Sequence, residues 1–230
     1  MEESKWKVGI GVRILAIGGA VIKTAYDEIK EVAQRGLFDI LIHNGGSLFH
    51  DFQQATETPG HSYPLVDLLV DYEPNRKASE LVWHWLKTGF APAGTLTYIS
   101  QLKGIDVMLF TVLGADFWQL FDSHWELIAY KSKIDFGILC GLMESEFHYV
   151  CMGSAVVHPE VFAKALAVAK PKKFRGDVID FKMMYRPKTR IVQLAKSGRY
   201  WNMDHKTFLE NWIRCDELGI DIFTGEKYAT

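Results

Sequence analysis

A histidine and an aspartate are adjacent at His50-Asp51, shortly after the glycine pair Gly45-Gly46. Histidine titrates near neutral pH and a neighbouring carboxylate can fix its tautomer, so the pair could serve general acid–base catalysis. Side chains that are adjacent in sequence rarely face each other, however. An aspartate at the start of a helix, beside a surface histidine, explains these two residues equally well.

A second acidic candidate, Asp116, follows an apolar segment and Gly114. At the end of a strand its carboxylate could accept hydrogen bonds from a ribose or from an amine. It could also cap the N-terminus of a helix, which is the ordinary structural role of such an aspartate. Substrate binding and helix capping are therefore both open for Asp116.

Three apolar segments end in glycine and are followed by a loop or a helix. The junctions are Ile17-Gly18-Gly19, Ile42-His43-Asn44-Gly45-Gly46 and Met152-Gly153-Ser154. Ligands of open α/β sheets bind at the carboxyl ends of the strands, and the first N–H groups of a helix favour phosphate. Any one glycine could simply make a turn, and none belongs to a GxGxxG fingerprint. Together the three predict a nucleotide-like or other anionic ligand.

Lys23 and Thr24 lie in the helix predicted after the first glycine pair. A lysine in that place could reach a phosphate, and it could equally be a solvated surface residue. No HxxxH or HxH spacing joins His43, His50, His158 and His205, so no metal site is predicted.

The composition is that of an ordinary globular protein, with 48% hydrophobic and 23% charged residues among 230 and a net charge of −2. The charge gives no argument for binding to nucleic acid or to an anionic membrane. Three cysteines without CxxC spacing indicate buried thiols in a reducing compartment. With no apolar run long enough to span a bilayer, the sequence predicts a cytoplasmic protein without a membrane segment.

Alternating apolar segments and helical periodicities predict an α/β fold, a Rossmann-like parallel sheet with helices on both faces and a single domain over residues 1–230. The first unit is a strand to Ile17, a helix from Ile22 and a strand to His43. Later predicted strands are Asp106–Leu113, Phe136–Met143, Phe147–Met152, Asp177–Met184 and Thr189–Leu194. Later predicted helices are Arg76–Lys87, Ala91–Lys103, Phe117–Lys131, a helix after Pro159, and Asp204–Leu218, and a loop with a short helix is predicted within Thr56–Asn75.

The glycine motifs, in this order, resemble those of the deoxyhypusine synthase family, in particular its bacterial deoxyhypusine-synthase-like members. The similar segments are IGGAVIKT (Ile17–Thr24), NGGSLFHDF (Asn44–Phe52), VLGAD (Val112–Asp116), MGSAVVHPEVF (Met152–Phe162) and YRP (Tyr185–Pro187). The resemblance implies a Rossmann-like fold that binds NAD, often at a subunit interface of a homotetramer.

The resemblance also implies an amine or polyamine substrate and aminoalkyl transfer or related chemistry. Cofactor binding is expected at Gly18, Gly19, Lys23, Thr24, Asn44, Gly45, Gly46 and Ser154. The polar groups expected to face the substrate are His50, Asp51, Asp116 and His158. The segment that carries the family's catalytic lysine has no match here, although Lys206 lies in the corresponding region.

Two other functions are compatible with the same residues. The chain could be a non-catalytic or altered-ligand homologue that acts as a binding or scaffold protein, which the missing lysine segment favours. It could also be a nucleoside or sugar enzyme that uses no NAD, because the dinucleotide fingerprint is absent.

Overall fold

The structure is a computed structural model that describes residues 11–56, 73–114, 116–120, 124–171 and 173–228. Its strands are β1 (Val12–Ile17), β2 (Ile40–Asn44), β3 (Asp106–Phe110), β4 (Phe147–Met152), β5 (Phe174–Asp180) and β6 (Tyr200–Asn202). Its α-helices are α1 (Gly19–Thr24), α2 (Tyr26–Gln34), α3 (Gly45–Gln53), α4 (Glu73–Thr88), α5 (Leu96–Leu102), α6 (Trp125–Leu142), α7 (Val157–Ala169), α8 (Tyr185–Pro187) and α9 (His205–Glu217). A 3₁₀ turn covers Phe117–Leu120 and a π-helical turn covers Lys188–Val192.

The six strands form one sheet in the order β3-β2-β1-β4-β5-β6, and every neighbouring pair is parallel. This is the strand order of the Rossmann fold, and the order reverses between β1 and β4. Ile17 is in register with His43 on one side and with Met152 on the other, and Met152 is in register with Ile179. The carboxyl ends of the strands therefore meet along one edge. The predicted α/β, Rossmann-like parallel sheet is confirmed.

Helices cover both faces of this sheet, as predicted. Leu15 and Ile17 of β1 belong to a core with the apolar sides of α1, α2, α5 and α9. Ile14 and Ala16 belong to a second core with α6 and α7. Because successive side chains of a strand point to opposite faces, the apolar run Ile14–Ile17 of β1 contributes to both cores.

The prediction of a strand at Phe136–Met143 was wrong, because α6 continues through this segment to Leu142. Apolar residues lie on both sides of the helix: Ile134 and Ile138 are exposed, whereas Leu139 is buried. A helix that is apolar all round shows no 3.6-residue period, so its sequence reads like a buried strand. The predicted helix Phe117–Lys131 is likewise a 3₁₀ turn followed, from Trp125, by α6.

The predicted strand Thr189–Leu194 was also wrong, since its first residues form the π-helical turn that packs Ile191 into the core. The strand predicted at Asp177–Met184 is β5 and ends at Asp180. Strand β6 was not predicted, because its 3 residues are too few to show a pattern. The loop and short helix predicted within Thr56–Asn75 lie largely outside the described residues.

Gly18 lies where β1 and β4 end side by side, and its substitution tests how closely the backbone packs at this edge of the sheet. Its N–H donates to the carbonyl of Met152 at 2.8 Å, and a Cβ built on it would lie 1.9 Å from the carbonyl oxygen of Gly153. We expect Gly18→Ala to lower the free energy of unfolding by about 2–3 kcal/mol, the cost of forcing atoms into packed space. Urea unfolding beside Gly137→Ala, an exposed helical glycine with nothing within 4 Å, is the measurement. Equal midpoints for the two variants would contradict this account.

Candidate functional site

A cavity of about 400 Å³ opens at the carboxyl ends of β1, β2 and β3. Its walls come from the starts of α1 and α3, from the loop after β3 and from the first residue of α7. The lining residues are Gly19, Ala20, Lys23, Asn44, Gly45, Gly46, His50, Val112, Asp116 and Val157. Of the residues predicted for the site, Gly19, Lys23, Asn44, Gly45, Gly46, His50 and Asp116 thus surround one space.

Asn44 ends β2 and begins α3, and its side chain caps the helix. Asn44 Oδ1 accepts a hydrogen bond from the N–H of Ser47 at 2.8 Å. The next two residues are Gly45 and Gly46, whose N–H groups have no carbonyl four residues earlier inside the helix. These amides and the positive end of the helix dipole suit an anionic or carbonyl group in the cavity.

Gly45 lets the Asp116 carboxylate pack directly on the start of α3. A Cβ on Gly45 would lie 1.8 Å from Oδ2 of Asp116 and 2.5 Å from Oγ1 of Thr111. Oδ2 accepts a short hydrogen bond from the Thr111 hydroxyl and another, at 3.4 Å, from Nε2 of Gln119. Burial raises the pKa of Asp116, and the bond from Thr111 opposes that shift. Among the residues that the structure describes, both hydrogen bonds to this carboxylate use Oδ2, so Oδ1 is the oxygen that we expect to accept from a ligand.

His50 lies at the edge of the cavity and is 8% exposed. Its Nδ1 is 2.6 Å from Oε1 of Gln53, whose Nε2 in turn donates to Asn75 at 2.8 Å. Because the Gln53 amide faces His50 with its oxygen, we assign the imidazole hydrogen to Nδ1 and the lone pair to Nε2. The Cδ2 atom beside Nε2 is 3.1 Å from a Cβ built on Gly19, so this side of the ring faces the start of α1.

Asp51 does not pair with His50 and does not line the cavity. It is fully buried and points at the start of α5. One carboxylate oxygen accepts from the Tyr26 hydroxyl at 2.8 Å and from the Leu96 amide at 2.7 Å. The other accepts from the amide and the hydroxyl of Thr97 at 2.9 and 2.7 Å. Burial raises the pKa of Asp51, and these bonds oppose the shift.

His158, also predicted to face the substrate, is fully buried at the junction of β1 and β4. Its Nε2 donates to the carbonyl of Ile17 at 2.8 Å, and burial lowers its pKa to about 4. Ser154 is buried beside it and accepts from the His158 amide at 3.4 Å. These two residues connect the strand ends and do not border the cavity.

Two further residues predicted for the cofactor lie outside the cavity lining. Gly18 contacts Gly153 at the sheet edge, and the Thr24 hydroxyl donates to the carbonyl of Ala20 at 2.9 Å. Sequence reasoning missed Thr111 and Gln119, which hold Asp116. Their signal was available, because polar residues flank the glycine–aspartate loop on both sides.

Within the ranges that the structure describes, no three His, Cys, Asp or Glu side chains are grouped as a metal site. None of the helices in those ranges has the length and apolar character needed to cross a bilayer.

The protein belongs to the class of α/β proteins that have a Rossmann-type parallel sheet, here with six strands and a cavity at the carboxyl edge. No protein-family model matches the sequence. No curated protein is similar to it in sequence. The comparisons that succeed are with solved structures, and they show likeness in fold.

One such structure is that of a conserved protein of Methanococcus maripaludis S2 assigned to the LOR/SDH class, with a TM-score of 0.63 and 12% sequence identity. The similar region covers 92% of this chain and 62% of that protein. Another is AgrE in its ternary complex with ornithine and NAD⁺, with a TM-score of 0.62, 15% identity and cover of 90% and 30%. An Entamoeba histolytica protein assigned as a deoxyhypusine synthase has a TM-score of 0.57, 9% identity and cover of 94% and 78%.

At these identities the likenesses show the fold alone. The chain spans 30% of AgrE and 62% of the M. maripaludis protein. The fold is thus also that of AgrE, a protein whose structure was described with NAD⁺. The resemblance to the deoxyhypusine synthase family is supported at the level of fold and not by sequence matching.

Proposed function

We propose that this chain is an enzyme that binds NAD or a related nucleotide in the strand-end cavity and acts on an amine or polyamine substrate. The observation that carries the proposal is that Gly45, Gly46 and Asp116 line one cavity at the carboxyl edge of the sheet. The strand order of this sheet is β3-β2-β1-β4-β5-β6. Ligands of this fold bind at that edge. The fold likeness to AgrE, described with NAD⁺ and ornithine, supports the choice of ligands.

The charges around the cavity suit a ligand with both anionic and hydrogen-bond-donating groups. Lys23 and the start of α3 favour phosphate oxygens. Asp116 repels phosphate but accepts from a ribose hydroxyl or an ammonium group. The cavity volume of about 400 Å³ falls in the range of about 300–1,000 Å³ that ligand pockets have.

Within this proposal, the histidines and the aspartate predicted for the site have different roles. NAD, when bound, supplies a hydride acceptor for a carbon that carries an amine. His50, which lines the cavity and is held by Gln53, is our candidate for a group that takes a proton from the substrate. Asp51 and His158 hold the secondary structure around the cavity, because all of their described bonds are to the protein.

One observation favours a second candidate, a nucleoside or sugar enzyme that uses no NAD. In the NAD-binding Rossmann fold an acidic residue after the second strand holds the ribose hydroxyls. This chain has Asn44 there, and its Oδ1 is occupied by the Ser47 amide. Asp116 would have to contact the ribose instead.

Gly46→Val tests the cavity, because Gly46 has room for a side chain. A Cβ there has Asn44 Oδ1 at 3.6 Å as its nearest neighbour, so the helix tolerates it while the added methyls enter the cavity. We expect calorimetry to show micromolar NAD binding by the wild type and a loss of about tenfold or more in the variant, about 1.4 kcal/mol.

Gly137→Val, an exposed glycine of α6, is the matched control and should bind as the wild type does. Gly45→Val is unsuitable, since its side chain would displace Asp116. Absence of NAD binding by the wild type, with other nucleosides bound, would replace the first candidate by the second. Unchanged NAD binding by Gly46→Val would show that NAD does not bind in this cavity.

A further inference from the structure

The net charge of −2 hides an uneven distribution of charge along the chain. From residue 181 to residue 203 there is no acidic residue and six residues are Lys or Arg, so this stretch carries +6 and the rest of the chain −8. Four of the six cations lie directly after β5, in what we call the basic segment (residues 181–190). They are Lys182, Arg186, Lys188 and Arg190. Positive charge concentrated in one place attracts an anionic partner.

Much of this positive charge is not neutralised within the protein. Glu160 of α7 pairs with two of the four cations, with its Oε1 3.3 Å from Nε of Arg186 and 3.6 Å from Nε of Arg190. Lys182 and Lys188 are exposed and form no ion pair with any residue that the structure describes. The basic segment therefore presents positive charge to solvent.

Apolar side chains stand among these cations. Three of them are more than half exposed, namely Phe181, Met183 and Tyr185. The backbone that carries them is held by Tyr200 of β6, whose hydroxyl donates to the carbonyl of Lys182 at 2.9 Å and accepts from the N–H of Met184 at 3.0 Å. Pro187 is buried and fixes the segment a second time. Exposed rings and cations thus alternate along a segment that is ordered before any partner binds.

Single-stranded nucleic acid fits this combination of groups. Its charged backbone alternates with flat bases, and proteins bind it through a positive surface on which aromatic side chains stack with the bases. A duplex offers the same phosphates but keeps its bases paired inside the helix. An anionic membrane is commonly bound by a long amphipathic helix, whereas α8 has 3 residues. The exposed rings therefore favour a single strand over both of these partners.

We propose that the basic segment binds single-stranded nucleic acid, a ligand other than those of the proposed function. Lys182 and Lys188 contact phosphates, and Phe181 and Tyr185 stack with bases. The segment begins at the end of β5, whereas the cavity described above lies at the ends of β1, β2 and β3. The two sites therefore occupy different parts of the carboxyl edge of the sheet.

Tyr185→Ala tests the stacking, because this side chain is 73% exposed and its removal leaves the core untouched. The probe is a fluorescein-labelled strand of about 12 uridine nucleotides, and the readout is fluorescence anisotropy. We expect micromolar binding by the wild type at about 50 mM salt, and binding at least about fivefold weaker in the variant, the loss of one stacked base. Tyr185→Phe keeps the ring and should bind as the wild type does.

Lys182→Ala combined with Lys188→Ala tests the phosphate contacts through the dependence on salt. Between about 50 and 200 mM salt, the logarithm of the affinity should fall with the logarithm of salt concentration at a slope of about −2 for three phosphate contacts. The double variant keeps about one contact, and its slope should be about −1. Equal slopes would show that these lysines do not contact the strand.

Tyr130→Ala and Lys133→Ala are the matched controls, an exposed ring and an exposed cation on α6, and should bind as the wild type does. Absence of binding to the uridine strand would overturn the proposal. So would equal affinity of the wild type for the same strand in a duplex, or binding to phosphatidylserine vesicles alone, which would identify a membrane surface. NAD and amines are absent from these measurements, so their outcome is independent of the proposed function.

Discussion

Asp51→Ala is expected to lower the free energy of unfolding by about 3–5 kcal/mol, the cost of removing one partner from a buried charged network. Four donors converge on this carboxylate, from Tyr26, Leu96 and Thr97. Two of them are backbone amides at the start of α5 and have no helical partner of their own. Alanine would remove the acceptor of the Tyr26 hydroxyl and of both amides, whereas the Thr97 hydroxyl is also 3.2 Å from Nε2 of His43.

Asp51→Asn separates this structural role from a catalytic one. An amide has one acceptor oxygen, so at least one pair of donors would face its NH₂ group, and we expect a loss close to that of alanine. Tyr26→Phe, which removes a single donor, should cost about 1–2 kcal/mol. Urea unfolding monitored by circular dichroism gives the three values. A fully stable Asp51→Asn that lacks activity would instead support the prediction that Asp51 acts on the substrate.

The second large effect is a loss of stability as the pH falls from 6.5 towards 4. Burial lowers the pKa of His43 to about 3, and those of His148 and His158 to about 4, from the ordinary value of 6.5. Between these values the unfolded chain binds protons that the folded chain does not, so acid favours unfolding. Each pH unit below 6.5 lowers the free energy of unfolding by about 1.4 kcal/mol for each such histidine. At pH 5 the loss of stability is therefore about 2 kcal/mol for each of the three histidines.

The hydrogen bonds of His148 give an independent reason for the same sign. Nδ1 accepts from Nε of Arg13 at 3.1 Å, and Nε2 faces the Asp177 carboxylate at 2.9 Å. A proton on Nδ1 would abolish the bond from Arg13 and place two cations together. This histidine therefore stays neutral while the protein is folded.

Buried carboxyl groups whose pKa is raised have the opposite effect, because they bind protons more readily in the folded protein and so favour folding in acid. These groups are Asp51, Asp116, Asp135 and Asp180. The contribution of a histidine to the pH dependence of stability is therefore measured by comparing the wild type with a histidine variant. We expect the slope of unfolding free energy against pH, between 5 and 6.5, to be smaller in His158→Gln by up to about 1.4 kcal/mol for each pH unit. Identical slopes would show that His158 titrates normally in the folded protein.

Local patterns were sufficient to predict the fold class. Strands such as β1 and β4 are mostly apolar, and the glycines after them mark where each strand ends. Because parallel strands of a crossover fold share one carboxyl edge, the residues that follow them could be expected to meet. Gly19, Asn44, Gly45, Gly46 and Asp116 do so.

Helix α6 shows where this reasoning fails. Its period is hidden because Ile134 and Ile138 are exposed although they are apolar. Strand β6 has 3 residues, too few for a pattern, and it exists because β5 offers it an edge to pair with.

The sequence by itself determined which chemical groups stand at the end of each strand, since strand periodicity and glycine positions are local properties. The tertiary structure alone decided which of them share a space. His50 and Asp51 are neighbours in the chain, but successive residues of a helix point about 100° apart, so one reaches the cavity and the other the core. Asp180 and His205, 25 positions apart in the numbering, come together only because β5 and α9 pack at the same edge.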